Sequence, residues 1–263
     1  FSYFSPILIG SGDKVAIVNS TVILSDGRIV VGGAFERYNG VNQNSITCLN
    51  QDGSIDTTFN SGIGLIKPDN NYESLKRVGV FDLNVLSNEK ILISGRFARY
   101  DNTLATNLAK VDSGGNLDLS FYSTTGFDEI VKCSAIQPDG KILVGGYFTK
   151  YNNTKKRGLV RLNTDGSIDN SFAIGSGIYF ANIDRIRYLS VRSITIQPDN
   201  KILIAGSFSS FNGVTNNCMV RLNSDGTIDT SFSLSTTIDT SNQMIFNVVL
   251  QNDGKILLFA NDD

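Results

Sequence analysis

The chain has 263 residues, 41% of them apolar and 18% charged, with a formal net charge of −2 and a pI near 5.2. That composition is globular, with enough apolar residues for a sizeable core, and it gives no electrostatic reason to bind a polyanion such as nucleic acid. The densest basic cluster is only Lys155-Lys156-Arg157, no apolar stretch reaches the roughly 18 residues of a membrane-crossing helix, and histidine, the usual general base, is absent.

The chain does not open on Met or on a secretory leader pattern. Phe1 or Phe4 fits the closing ring of a preceding repeat, so the sequence reads as a mature piece or a segment of something longer. From Arg28 a 32-residue block runs without insertion or deletion, and it recurs from Lys90, Lys141 and Lys201. A fifth copy begins at Lys255 and covers only 255–263. The repeat cores are 28–59, 90–121, 141–172 and 201–232, within what is expected to be a single domain over 1–263.

Each block opens on a basic residue and an apolar run, Arg28-Ile29-Val30-Val31 in the first. Next comes a glycine (Gly33, Gly95, Gly146, Gly206), and two positions later a phenylalanine (Phe35, Phe97, Phe148, Phe208). An aromatic follows at Tyr38, Tyr100, Tyr151 and Phe211, ahead of Asn39, Asp101, Asn152 and Asn212. The second half holds Gly53, Gly115, Gly166 and Gly226, then Asp56, Asp118, Asp169 and Asp229, and closes on Phe59, Phe121, Phe172 and Phe232. The fifth copy carries Ala260 and Asp262 in place of the glycine and the first phenylalanine.

The third copy shows the predicted elements best. Apolar alternation gives strand A over 130–137, Pro138-Asp139-Gly140-Lys141 a tight turn, 142–148 strand B, 158–162 strand C and 167–172 strand D. Asp52-Gly53, Asp165-Gly166 and Asp225-Gly226 mark the turn between C and D, where a glycine answers a need for φ > 0. Strand B lacks alternation, which implies burial on both faces, and a glycine inside such a strand marks the close approach of another backbone or ring. Four-stranded antiparallel sheets buried at their centres must stack on their neighbours. Block spacings of 62, 51, 60 and 54 residues lie near the kelch period of about 50. The expected fold is an all-β β-propeller, with five blades or as a segment of a larger ring. In the five-bladed version, 1–9 would add an outer strand to the half-blade at the C-terminus.

All length variation falls between a closing phenylalanine and the next strand A, as in 60–77, so individual binding character is expected in these connections. The string Gln137-Pro138-Asp139-Gly140-Lys141-Ile142-Leu143-Val144-Gly145-Gly146-Tyr147-Phe148, with Arg161-Leu162-Asn163 and Asp165-Gly166-Ser167-Ile168-Asp169-Asn170-Ser171-Phe172, resembles the delta-60 repeat. This is a β-propeller-type repeat of bacterial surface proteins and some phage proteins. The resemblance spans nearly the whole chain and implies an extracellular, cell-surface or virion-associated, multidomain protein. It implies no catalytic residues.

Candidate chemistry has a structural counterpart at each position. Asn163-x-Asp165-Gly166-Ser167-x-Asp169 has the oxygen spacing of a calcium loop, repeated at Asn50/Asp52/Ser54/Asp56 and Asn223/Asp225/Thr227/Asp229. The second block offers Asp112, Gly114, Asn116 and Asp118, losing one carboxylate, and Asp and Asn stabilise such turns without metal. Turn chemistry is the favoured reading, and no metal or cofactor is expected. Tyr38, Tyr100, Tyr151 and Phe211 could stack on sugars, but recurrence favours packing in the B–C loop with the phenolic tip in water. Asp26, Asp139, Asp199 and Asp253 make the A–B turns, and the Lys or Arg two residues later reads as a solvated strand end. Cys48, Cys133 and Cys218 fit neither a disulfide framework nor a zinc spacing and read as small buried hydrophobes. There is no Gly-x-x-x-x-Gly-Lys-Ser/Thr phosphate loop.

With no catalytic residue expected, the leading functional reading is a non-enzymatic structural or adhesive module of a bacterial cell-surface protein or a phage tail or baseplate. Its partner would be a protein or surface glycan, or other domains of the same chain or assembly, with no membrane insertion. The alternative is a polysaccharide hydrolase or lyase that uses the unrepeated carboxylates Asp69, Glu73, Asp128, Glu129 and Asp184.

Overall fold

The computed structural model describes residues 8–9, 15–67, 78–121, 124–179, 190–215, 218–233 and 244–261. Every regular element among the described residues is a β-strand. β1 (Leu8–Ile9) precedes the first block, which contains β2 (Ile17–Ile23), β3 (Ile29–Ala34), the short pair β4 (Arg37–Tyr38) and β5 (Val41–Asn42), and β6 (Ile46–Leu49). After β7 (Leu65–Ile66), the second block repeats this order with β8 (Gly79–Val85), β9 (Ile91–Arg96), β10 (Arg99–Tyr100), β11 (Thr103–Leu104) and β12 (Leu108–Val111). The third block holds β13 (Val131–Ile136), β14 (Ile142–Gly146), β15 (Lys150–Tyr151), β16 (Thr154–Lys155) and β17 (Leu159–Leu162), followed by β18 (Ile178–Tyr179). The fourth holds β19 (Val191–Ile196), β20 (Ile202–Gly206), β21 (Ser210–Phe211), β22 (Val214–Thr215) and β23 (Met219–Leu222). A last pair is β24 (Met244–Leu250) and β25 (Ile256–Asn261).

Each complete block folds into one antiparallel sheet in the order A-B-C, namely β2-β3-β6, β8-β9-β12, β13-β14-β17 and β19-β20-β23. These are propeller blades. The expected strand D is reduced to a single bridge per blade, Leu49 to Ile55, Val111 to Leu117, Leu162 to Ile168 and Leu222 to Ile228. The reason is the aspartate that follows, whose side chain turns back on its own backbone and ends the ladder.

The A–B turns close with a residue at positive φ, Gly27, Glu89, Gly140, Asn200 or Gly254, in the type I plus bulge arrangement of a three-residue hairpin. Strand B is buried along its length in β9, β14 and β20, as its unbroken apolar run predicts. In the first, second, fourth and last sheets strand A bulges opposite the end of strand B, for example between Val191 and Ser193. The Ser190 carbonyl then occupies the space a Cβ on Gly206 would need, which is why the repeat holds a glycine there.

The chain divides into two compact units, Phe1–Val131 and Lys132–Asp263. In the first, strand A of the second blade packs on strand B of the first: a methyl group at Gly32 would lie 2.6 Å from the Val80 side chain. Val30, Ile46, Cys48, Val80, Leu83, Ile91 and Ile93 share that core. In the second unit Val191 meets Gly145 in the same way, and Ile245 and Val248 of β24 cover Leu203 and Ala205 of β20. Hydroxyl groups on strand A add polar latches: Ser20 accepts from the Leu83 amide at 3.1 Å, and Ser193 accepts from the Val248 amide at 3.1 Å.

Leu8–Ile9 pairs with β4 of the first block, Ile9 opposite Arg37, as β7 and β18 pair with the hairpins that follow them. The rest of 1–9, expected to add an outer strand to the last sheet, lies outside the described residues. The B–C loop is itself a hairpin in every block, joined in three of them by a strand from the preceding connection: β1 on β4, β7 on β10 and β18 on β21.

Candidate functional site

The recurring aspartate of the D segment is buried in the first, third and fourth blades, and in the second the Asp118 side chain is 8% exposed. Its amide donates to strand C, as Asp169 to Arg161 at 2.9 Å, which fixes the carboxylate beneath the sheet end. Oδ1 then accepts from the amide and hydroxyl two residues on: Thr58, Ser120, Ser171 and Ser231. Oδ2 receives the cations. Arg28 reaches Asp56 at 2.7 Å, Lys90 and Lys110 reach Asp118 at 2.8 and 3.1 Å, Lys141 and Arg161 reach Asp169 at 3.1 and 2.7 Å, and Lys201 and Arg221 reach Asp229 at 3.0 and 2.7 Å. The basic residue that opens each of the four complete blocks is therefore a carboxylate partner, correcting its reading as a solvated end, whereas Lys255 of the fifth is solvated as expected.

Strand C supplies the second cation, and the closing phenylalanine supports it: Lys110, Arg161 and Arg221 lie 4.6, 4.3 and 4.6 Å from the ring centroids of Phe121, Phe172 and Phe232. Burial pushes the Asp118 and Asp169 carboxyls up, but hydrogen bonds from Lys90, Ser120 and Lys110, and from Ser171, Lys141 and Arg161, outweigh it and hold both well below the ordinary range. Bonds from Ser231 and Lys201 do the same for Asp229. These groups are charged and saturated. In the first blade Cys48 stands at the strand C cation's place, and burial pushes its thiol up to about 11, far from a reactive thiolate. All three cysteines are buried and outside any disulfide, as expected of small hydrophobes.

The C–D turns use their oxygens internally. Asp165 Oδ1 accepts from the Ser167 amide and hydroxyl, and Asn163 donates to Ser167; Asp52 and Asp225 repeat the pattern. This is the turn chemistry that competes with a calcium loop. The aromatic rings are packed inside, with Tyr38, Tyr100, Tyr151 and Phe211 all at or below 4% exposure. Their tips do not reach water, contrary to expectation. The Tyr38, Tyr100 and Tyr151 hydroxyls donate to the carbonyls of Gly53, Gly115 and Gly166, at 3.0, 2.6 and 2.8 Å, and tie the B–C hairpin to the C–D turn.

What faces outward is the hairpin layer and the connections that pair with it. Successive left-handed residues, Asn39-Gly40, Asn152-Asn153 and Asn212-Gly213, make two-residue turns of the I′ kind. The side chain at the first of these positions holds the incoming connection: Asp101 accepts from the Ile63 amide at 3.2 Å, and Asn212 from the Ser176 amide at 3.1 Å. Exposed apolar groups then line the outer strand and the connection, with Val41 at 50%, Leu104 at 49%, Val214 at 52% and Tyr179 at 53%. A shallow cavity of about 140 Å³ opens beside β11, lined by Leu104, Leu108, Leu117, Leu119 and Phe121 and by Lys110 and Asp118, which are paired with each other.

Sequence reasoning missed this layer, although Asn-Gly at 39–40 and 212–213 is the hairpin signal that could have revealed it. Among the unrepeated carboxylates, Asp69, Glu73 and Asp184 lie outside the described residues. Asp128 is exposed and Glu129 partly so, one residue after the other before β13. Burial lowers the Arg96 guanidinium, and the Glu129 charge opposes that.

The family described as "Domain of unknown function (DUF5122) beta-propeller" matches residues 24–59, 86–121, 137–172 and 197–232, more than half of the chain. The chain belongs to this family. Four matches in the register of the four blocks agree with the delta-60-like repeat. No curated protein matches the chain. Among solved structures, catalytically inactive virginiamycin B lyase from Staphylococcus aureus with quinupristin is 16% identical at a TM-score of 0.51, over 97% of this chain and 67% of that one. The selenomethionine form of the same lyase gives 16% and 0.50, over 97% and 73%. A protein of unknown function from Bacteroides caccae gives 13% and 0.41, over 81% and 65%. At these identities the likeness is one of fold.

Proposed function

We propose that the chain is a non-enzymatic β-propeller module that presents its B–C hairpins and inter-blade connections to a protein or glycan partner, as part of a bacterial surface protein or a phage tail or baseplate. The observation that carries this reading is the direction of its polar chemistry. The repeated carboxylates, phenols and turn side chains are engaged within the blades, while the exposed apolar groups Val41, Ile63, Leu104, Tyr179 and Val214 lie on the hairpins and connections, as others do on β2, β24 and β25. An extracellular setting is inferred from the resemblance to repeats of surface and phage proteins.

A glycan array and a pull-down with the intact chain test it. Binding is expected, and it should weaken about thirtyfold in a Leu104→Ser, Tyr179→Ser variant, each aromatic or apolar contact contributing about 1 kcal/mol. An intact chain that retains nothing, or a variant that binds equally well, would overturn the assignment.

The lyase relatives raise the enzymatic alternative. The inactive form of that lyase replaces a histidine by alanine, and this chain contains no histidine. The alternative therefore needs a different acid–base pair among Asp69, Glu73, Asp128, Glu129 and Asp184. Polysaccharide turnover lost in a Asp128→Asn, Glu129→Gln variant would favour it over the adhesive reading.

A further inference from the structure

The second blade departs from the other three around one hollow. In the common frame Leu104 stands where they hold Asn42, Lys155 and Thr215, and Leu119 where they hold Thr57, Asn170 and Thr230. Both leucines are exposed, at 49% and 80%, and both line the cavity of about 140 Å³ beside β11. Smaller residues deepen it: Ala109 replaces Val160 and Val220 of the third and fourth blades, and Lys110 replaces Arg161 and Arg221. The first blade has Thr47 and Cys48 at these two positions but a polar rim. Three blades fold without either leucine, so the exposed pair serves contact rather than folding.

The walls select the occupant. An apolar cavity of about 150 Å³ accommodates one benzene ring, and this hollow is close to that size. Lys110 on its wall lies 4.6 Å from the Phe121 ring centroid and 3.1 Å from Asp118. The ammonium favours the face of a second ring over an aliphatic group, while its pairing with Asp118 leaves no bare charge to hold an anion.

The rim also offers main chain. β11 is the outer strand of the sheet β11-β10-β7, and among the described residues no strand pairs with its other edge. Thr103 faces Tyr100 across the two-residue turn, and the Ala105 amide donates to the Ala98 carbonyl at 3.1 Å, so Leu104 between them directs its own N–H and C=O outward. An extended segment can pair with those groups while one of its side chains enters the hollow.

We propose that this cavity of the second blade is a docking pocket for one uncharged aromatic side chain of an extended partner polypeptide. The proposal rests on the module reading above and names the chemistry of its partner.

The test uses the full 263-residue chain, isotope-labelled for NMR, with the blocked tripeptide acetyl-Thr-Phe-Thr-amide, its Leu and Glu counterparts, and free 4-methylphenol as probes. The Phe peptide should shift the methyl signals of Leu104, Ala109 and Leu119 and the amides of 103–105 saturably, with a Kd on the order of 1 mM. The Leu peptide should bind about fivefold more weakly and the Glu peptide not measurably, while 4-methylphenol should bind more weakly than the Phe peptide and shift the methyl signals alone. Ala109→Val copies the third and fourth blades, so it should leave the fold intact, fill the hollow and weaken the Phe peptide about tenfold. Leu119→Thr, which copies the first and fourth, should weaken it about fivefold, and Val214→Thr should change nothing. No saturable shift, a Leu peptide as tight as the Phe peptide, or binding indifferent to Ala109→Val would overturn the pocket, and 4-methylphenol as tight as the peptide would overturn its polypeptide occupant. In each of these cases a chain that still retains a partner in the pull-down keeps the module reading, so the two fail separately.

Discussion

Among the described residues, Asp56 has one cation within ion-pair distance where Asp118, Asp169 and Asp229 each have two. No second cation comes from strand C, because Cys48 fills the position of Lys110, Arg161 and Arg221. Arg28→Met should therefore cost about 3 kcal/mol in urea unfolding, the penalty of a buried charge left without a counter-ion. Lys141→Met, which leaves Arg161 on Asp169, should cost about 1 kcal/mol. Equal costs would show that the strand C cation does not share the load. The opening Arg or Lys and the aspartate were both legible as repeated positions. Their pairing was not, since they lie 28 residues apart and meet only when strands B and C and the bridge have formed. The tyrosine hydroxyls escaped for the same reason, as periodicity reports which face a ring takes but not which carbonyl its tip meets.

Strands A, B and C were legible because each has a hydrophobic period or run, bounded by turn residues, that few other structures satisfy. Strand D was overestimated: its alternation at Ser167 to Phe172 reads as an extended segment, but the Asp169 side chain bonds its own backbone and leaves one bridge. The B–C hairpins were passed over because strands of two residues are too short to show a period. The glycine expectation held for a specific cause, the strand A bulge. Gly206→Ala would drive a methyl group into the Ser190 carbonyl, and since backbone cannot yield as a side chain does, a loss of about 2 kcal/mol or more is expected in thermal or urea unfolding. A neutral substitution would mean that the bulge is not rigid.

At the scale of the whole molecule, stability should follow the repeated carboxylates. Their folded pKa values lie below the ordinary 3.8, so their contribution is present above that pH and is lost as the pH falls through the folded values. With no histidine in the chain, the melting temperature should be level from about pH 5 to 8 and decline progressively below about pH 4. Asp118→Asn should flatten that acid decline, which circular dichroism at a series of pH values will show. The propeller class was legible from repetition alone, whereas the partner was not, because the recognition proposed above rests on connections whose sequences do not repeat.

The central claim is that each complete repeat is one sheet whose strand B is its buried centre. Native-state hydrogen exchange by NMR tests it most directly. The account predicts that amides of 91–96, 142–146 and 202–206 exchange only through global unfolding, far more slowly than those of the hairpins at 99–104, 150–155 and 210–215. Strand B amides that exchange as fast as the hairpins would contradict it.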